Sequence, residues 1–124
     1  MAKKILIAED ETSLLEILKN RVEQLGFKVV TARDGEETLQ KFAEEKPDLI
    51  LLDILMPKVN GFEVLEELKV KQKSPVPIII LTNLDQAEEV ERGKSLGAVD
   101  YIVKTNISLK DLMTMVNNYI ESMD

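Results

Sequence analysis

The sequence predicts an α/β fold, a single (βα)5 doubly wound parallel sheet with helices on both faces. Short apolar runs alternate with longer segments in which apolar residues recur at helical spacing. The apolar runs lack the alternation of polar and apolar residues that marks a half-exposed sheet, so both sheet faces are expected to be buried. Only a few residues separate successive elements, which favours right-handed crossovers between parallel strands.

Length and composition limit both the architecture and the chemistry. With 124 residues, 44% of them apolar, the chain is expected to form one domain over residues 1–124. A net charge of −7 argues against direct binding to nucleic acid or to anionic membranes. The absence of cysteine and histidine excludes thiolate nucleophiles, histidine-based triads and histidine-ligated zinc. No apolar stretch approaches about 18 residues and no signal-peptide core is present, so a soluble, cytoplasmic protein is expected.

The first strand is predicted at residues 5–8, an apolar run that ends abruptly at Glu9 and Asp10. Gly26 marks the end of the helix that follows, near Leu25, because glycine favours the left-handed cap after a helix. The apolar residues of this helix recur at helical spacing: Leu14, Leu15, Leu18, Val22 and Leu25.

The second strand is predicted at residues 28–32, which are rich in β-branched residues. Asp34 stands three residues before Glu37, a spacing that resembles a helix-capping box. The second helix is therefore expected to run from there to about Glu45. Its buried face is predicted to consist of Leu39, Phe42 and Ala43.

The third strand is predicted at residues 49–52, four consecutive apolar residues after a Pro-Asp pair, and Asp53 follows it directly. The loop at residues 56–61 contains proline and an Asn-Gly pair. Asn60 and Glu63 are expected to cap a third helix that ends near Lys71. Taken alone, Asp53 is better explained as a residue that ends a strand and begins a turn.

The fourth strand is predicted at residues 78–81 and delivers the hydroxyl of Thr82 to its carboxyl end. Asp85 and Glu88 are predicted to cap the fourth helix. Gly93 in its interior is expected to cost about 1 kcal/mol relative to alanine. The apolar face of this helix is thin and contains only Ala87, Val90 and Leu96, so it is predicted to be the least stable helix.

The fifth strand is predicted at residues 97–103 and brings Lys104 to the sheet edge. Ser108 and Asp111 are expected to start the last helix. Its apolar residues recur at helical spacing: Leu109, Leu112, Met113, Val116, Ile120 and Met123.

Candidate site residues follow four of the five predicted strands. Because the carboxyl ends of parallel strands meet at one edge, we expect these residues to converge there: Glu9, Asp10, Asp53, Thr82 and Lys104. Three clustered carboxylates repel one another unless a cation lies among them. An open set of oxygen ligands without histidine or cysteine favours Mg²⁺. A carboxylate beside Mg²⁺ can attack phosphorus, and no phosphate-binding glycine loop is present to indicate a nucleotide donor.

These residues resemble the response-regulator receiver family over nearly the whole chain. The matching positions are Glu9-Asp10, Asp53 with Met56-Pro57 and Gly61, Thr82, Gly97-Ala98, Tyr101 and Lys104. The resemblance implies the flavodoxin-like strand order 2-1-3-4-5. It also implies a phosphorylation-dependent switch without a diffusible product, whose only reactions are its own phosphorylation and dephosphorylation.

The resemblance also implies a role for each site residue. Asp53 would accept a phosphoryl group from a histidine kinase or phosphotransfer protein. Mg²⁺ would be bound by Asp10, Asp53 and the backbone carbonyl of Leu55, with Glu9 acting through water. Lys104 would pair with the phosphoryl group. Thr82 and Tyr101 would reorient and so change the surface formed by helix 4, strand 5 and helix 5, which would contact an output protein or domain or a second copy of the chain.

Two positions depart from the family pattern. Thr105 follows the lysine where relatives have a cis proline, so the loop there is expected to be either trans and displaced or strained. Asn83 replaces a small residue and is expected to narrow access to Asp53. In the family, the residues two after the phosphoacceptor and two after the threonine flank the path of the hydrolytic water. Here both are leucines, Leu55 and Leu84, which predicts a long-lived phosphorylated state.

Three alternative functions compete with that of a phosphorylated receiver. A receiver-like interaction module that works without phosphorylation remains compatible with Thr105 and Asn83. A dehalogenase-like phosphatase would need a second aspartate where Leu55 stands. A flavin-binding domain of the same strand order is disfavoured because an acidic site mouth repels phosphate.

Overall fold

A computed structural model describes residues 2–123 and contains a five-stranded parallel sheet in the order 2-1-3-4-5. The predicted fold class and strand order are confirmed. In the pairing register, Ala8 lies opposite both Ala32 and Leu52, so the residues that follow these three strands emerge side by side. The strands are β1 (Lys4–Ala8), β2 (Lys28–Ala32), β3 (Leu49–Leu52), β4 (Ile78–Thr82) and β5 (Asp100–Val103).

Five helices connect and follow the strands: α1 (Thr12–Gln24), α2 (Gly35–Glu45), α3 (Gly61–Leu65), α4 (Ala87–Ser95) and α5 (Leu109–Glu121). After α3 the chain continues as a π-helical segment, Glu66–Lys71, and β5 is followed by a 3-10 turn, Lys104–Asn106. Within residues 2–123, none of the helices combines the length and the apolar character needed to cross a bilayer.

Two apolar layers cover the sheet. Helices α1 and α5 pack on one face, where Leu18, Val22 and Val116 are fully buried or nearly so. Helices α2, α3 and α4 pack on the other, where α3 contributes the buried Leu65 and the π-helical segment adds Leu68. The four residues of β3 are buried completely or almost completely, which agrees with the uninterrupted apolar run in the sequence.

Several predicted helix ends are correct. Gly26 adopts a positive φ of 94° after α1. Asn60 and Glu63 form a capping box before α3, and the Ser108 hydroxyl accepts from the Asp111 backbone N–H at the start of α5. Asp34 caps α2, but the Glu37 carboxylate accepts from the Arg33 N–H, so the reciprocal half of the predicted box is not formed.

Three boundary or burial predictions were wrong. Ala43 is exposed, and α2 instead buries Thr38, whose hydroxyl donates to the Asp34 carbonyl at 2.7 Å and so satisfies its polar group locally. Helix α4 begins at Ala87 with Gln86 as its N-cap, rather than with Asp85 and Glu88 as the capping pair. Strand pairing of β5 starts at Asp100, because the preceding residues form a turn in which Gly97 has a φ of 113°.

Gly93 has a structural role that the sequence does not reveal. A Cβ atom at this position would lie 2.6 Å from Ile80 Cδ1 and 2.9 Å from a ring carbon of Tyr101. These distances are well inside van der Waals contact, so the predicted gain of about 1 kcal/mol from alanine is offset by overpacking. Gly93 therefore allows α4 to approach β4 and β5 closely.

Candidate functional site

The three predicted acidic ligands lie together at the carboxyl edge of the sheet. One carboxylate oxygen from each of Glu9, Asp10 and Asp53 falls within 4.8 Å of the others. The backbone places them there, because the Glu9 N–H donates to the Ala32 carbonyl and the Asp53 N–H donates to the Ala8 carbonyl, each at 3.0 Å. Glu9 is 2% exposed and Asp53 4%, whereas Asp10 faces solvent. The arrangement is a half-buried group of oxygen ligands of the kind that could hold a hard divalent cation.

Lys104 reaches into the acidic group from the 3-10 turn after β5. Its Nζ lies 2.6 Å from Glu9 Oε1 and 2.8 Å from Asp53 Oδ2. No peptide bond in the described part of the chain is cis, so Thr105 follows the lysine through a trans bond. The trans loop does not displace Lys104, whose amine contacts the predicted phosphoacceptor directly.

Burial and ion pairing act in opposite directions on the ionisable groups of the site. Burial raises the pKa of Glu9, with a further contribution from the nearby Asp53 charge, and the hydrogen bond from Lys104 only partly compensates. Burial lowers the pKa of Lys104, but the hydrogen bonds to Asp53 and Glu9 together outweigh it and raise that pKa above its ordinary value. The lysine therefore stays charged and neutralises one of the three carboxylates.

The loop after β3 holds Asp53 from the other side. The Leu55 N–H donates to Asp53 Oδ1 at 3.1 Å, and the Leu55 side chain is 53% exposed. Gly61 packs so closely that a Cβ there would lie 2.4 Å from the Asp53 carbonyl oxygen, so only glycine fits. The contact between Leu55 and Asp53 is made by the Leu55 amide, and the Leu55 carbonyl stays a predicted metal ligand.

Thr82 and Tyr101 lie on neighbouring strands next to the site. Thr82 is fully buried at the end of β4, and its hydroxyl accepts from the Leu84 N–H at 3.5 Å. Tyr101 is 8% exposed, and its hydroxyl donates to the Leu84 carbonyl at 2.8 Å. Both residues therefore contact the same point of the loop between β4 and α4.

Two features of the site were missed from the sequence. The first is the direct ion pair between Glu9 and Lys104, which was not predicted from the sequence. The second is Arg33, whose guanidinium Nη2 donates to the Asp10 carbonyl at 3.4 Å and to the Thr12 hydroxyl. A signal was present for Arg33, because it follows β2 at the same sheet edge as the residues that follow β1 and β3.

The comparisons with known proteins agree with this geometry. Residues 5–117 match the family model described as the response regulator receiver domain. The alkaline phosphatase synthesis transcriptional regulatory protein PhoP of Bacillus subtilis (strain 168) is 46% identical over 104 residues, which cover 84% of this chain and 43% of PhoP. The chain spans about half, or less, of the length of the curated relatives it matches.

Solved structures give the same result. The receiver domain of the Francisella response regulator 1452 has a TM-score of 0.90 at 30% identity, with 98% of this chain and 99% of that chain covered. The BeF3-activated N-terminal receiver domain of Klebsiella pneumoniae RstA has a TM-score of 0.85 at 29% identity, with 93% and 96% covered. With its strand order, its acidic edge and these matches, the chain belongs to the response regulator receiver family of two-component systems.

Proposed function

We propose that Asp53 accepts a phosphoryl group from the phosphohistidine of a partner histidine kinase or phosphotransfer protein. The observation that carries this proposal is the position of the buried Asp53 carboxylate, which lies beside Glu9 and Asp10 and is hydrogen-bonded to Lys104. An Asp53 oxygen would attack phosphorus as the bond from phosphorus to the histidine nitrogen breaks, leaving an acyl phosphate on Asp53 and the imidazole on the donor. These 124 residues contain no histidine, which agrees with a phosphodonor outside this domain.

The acidic group fits Mg²⁺ because its donors are carboxylate oxygens. Asp10, Asp53 and the Leu55 carbonyl would bind the ion, with Glu9 acting through water. Bound there, the ion would neutralise charge on the transferring phosphoryl oxygens. Lys104 would then keep one hydrogen bond at Asp53 and place a second positive charge against the phosphoryl group.

Phosphorylation would be transmitted through Thr82 and Tyr101. Thr82 would turn toward the phosphoryl group, which would move the Leu84 segment that both side chains contact. The surface formed by α4, β5 and α5 would change with it, and it would contact an output partner or a second copy of the chain. On this proposal the domain is a cytoplasmic switch whose only reactions are its own phosphorylation and dephosphorylation.

The output is proposed to be control of transcription. The supporting observation is that PhoP of Bacillus subtilis is named a transcriptional regulatory protein. The net charge of −7 disfavours contact between this domain itself and DNA, so a separate output domain or protein would bind the DNA.

Acid-labile phosphate measured after incubation with acetyl phosphate and Mg²⁺ tests the proposal. We expect incorporation in the parent and none in Asp53→Asn, and beryllofluoride should shift the amide resonances of residues 82–84 and of Tyr101. An Asp53→Asn variant that still incorporates phosphate would show that the acceptor is wrong. A parent that takes up no phosphate and does not respond to beryllofluoride would favour an interaction module that works without phosphorylation.

A further inference from the structure

We propose that Arg33 is a positioning residue for the divalent-cation site, because it fixes the loop that carries two of the three acidic ligands. This inference rests on the proposed function, since it assigns a role to a residue that acts on the proposed Mg²⁺ ligands. Arg33 follows β2, the outermost strand of the sheet, which pairs with β1. Its guanidinium extends from the end of β2 to the loop between β1 and α1.

The Asp10 segment has few other restraints. Glu11 is the N-cap of α1, yet its side chain makes no capping hydrogen bond. The Glu11 N–H donates to Glu9 Oε2 at 3.0 Å, so part of this loop depends on a carboxylate that also pairs with Lys104. Asp10 is exposed, and the Arg33 guanidinium hydrogen-bonds to its backbone carbonyl.

Arg33 is itself fixed at two points. Its guanidinium donates to the Asp10 carbonyl and to the hydroxyl of Thr12, the first residue of α1. Its backbone N–H donates to Glu37 Oε1 at 2.7 Å, which connects it to the first turn of α2. The loop after β1 is therefore connected to the start of α2 through Arg33, by its side chain on one side and by its backbone and the Glu37 carboxylate on the other.

Two effects of Arg33 on a bound dication have opposite signs. As a cation near the site, Arg33 repels Mg²⁺, and removing its charge would strengthen binding. As a restraint on Asp10, it lowers the cost of ordering that ligand, and removing it would weaken binding. Because the guanidinium contacts the ligand's own backbone and the start of α1 while its charge is solvent-exposed and screened, we expect the restraint to prevail.

Titration calorimetry of the full chain with MgCl₂ separates the two effects. Arg33→Ala should raise the dissociation constant for Mg²⁺ by about tenfold, the lower end of the effects measured for residues that orient metal ligands. Thr12→Val removes one attachment point without changing the charge and should weaken binding by a smaller factor. Arg33→Lys retains the charge and a donor of similar reach, and should recover much of the lost affinity.

The matched control is Arg21→Ala, which removes an exposed arginine from the last turn of α1 and should leave the dissociation constant unchanged. The melting temperatures of all variants in metal-free buffer should stay close to the parent value, since the restraint acts on one exposed loop. If Arg33→Ala and Thr12→Val bind Mg²⁺ as tightly as the parent or more tightly, the role of Arg33 is wrong and the proposed function is unaffected. A parent that binds no Mg²⁺ would overturn the proposed function together with the inference.

Discussion

Helices α4 and α5 flank the same edge strand, β5, but they are attached to the sheet in different ways. Helix α5 buries four apolar side chains, Leu112, Met113, Val116 and Ile120. Helix α4 has a single buried residue, Gly93, and its apolar side chains Val90 and Leu96 are only partly covered. Burial of apolar area is the main source of helix stability in proteins, so α5 is fixed firmly and α4 weakly.

What holds α4 is a small set of specific contacts. The Gly93 backbone lies against the Tyr101 ring, and the Arg92 guanidinium stacks over the Phe62 ring at 4.2 Å from its centroid. Such contacts depend on exact position, whereas a broad apolar face tolerates small shifts. The difference indicates that α4 is the helix that can move at small cost, while α5 provides a fixed reference beside it.

The largest effect is expected when one apolar side chain in each helix is replaced by alanine. Ile120→Ala in α5 should destabilise the fold by about 2–5 kcal/mol, because a fully packed side chain leaves a cavity. Val90→Ala in α4 should cost about 1 kcal/mol or less, because Val90 is partly exposed. Urea unfolding followed by circular dichroism gives both values. Equal losses would contradict the different attachment of the two helices.

A second test concerns the close approach of α4 to strands β4 and β5 at Gly93. Gly93→Ala gains about 1 kcal/mol in helix propensity, but overpacking against Ile80 and Tyr101 costs about 1–3 kcal/mol, so a net destabilisation of about 1 kcal/mol is expected. The Tyr101 ring should also be displaced, which the ring proton shifts would report. Ser95→Ala, at an exposed position of the same helix, is the control and should leave stability unchanged or slightly higher.

The sheet and the acidic edge could be predicted because each follows from local sequence. A run such as residues 49–52 indicates a buried strand, and parallel strands necessarily bring Asp10 and Asp53 to one edge. The position of Arg33 at this edge could also have been predicted, but its contact with the Asp10 carbonyl and the close packing of Gly93 could not, since both depend on the distance between elements far apart in sequence. The predicted burial of Ala43 was wrong because helical spacing alone does not determine which residues lie at the exact centre of the buried face.

Two leucines, one in the loop after β3 and one in the loop that leads into α4, affect the expected lifetime of the phosphorylated state. Leu55 is exposed next to Asp53, and Leu84 lies in the segment held by Tyr101. Neither side chain can orient a water for in-line attack, so we expect slow dephosphorylation. Replacing Leu55 by Asn and Leu84 by Gln should speed the loss of phosphate by up to about tenfold, equivalent to 1.4 kcal/mol in the barrier.

Phosphate release from the phosphorylated domain, with Mg²⁺ and without a partner, measures this effect. Val70→Asn is the matched control, because Val70 is another exposed apolar residue and lies on the π-helical segment instead of in a loop at the acidic edge. Asn83, exposed beside Thr82, is expected to hinder water entry in the same direction. Decay in the parent that is as fast as in the polar variants would contradict the predicted long lifetime.

The smallest expected effect compares the two tyrosine hydroxyls. Tyr101→Phe removes a partly buried hydrogen bond of 2.8 Å to the Leu84 carbonyl and should cost about 1 kcal/mol. Tyr119→Phe, on α5, removes a longer bond of 3.3 Å to Asp100 from a partly exposed hydroxyl, and should cost less.

If α4 is held by specific contacts, Tyr101→Phe should speed amide exchange in α4 and leave amide exchange in α5 unchanged. Tyr119→Phe should change neither helix strongly, because apolar burial continues to hold α5. Equal acceleration of exchange in α4 and α5 after Tyr101→Phe would mean that the two helices open together, and the contrast between them would then be wrong.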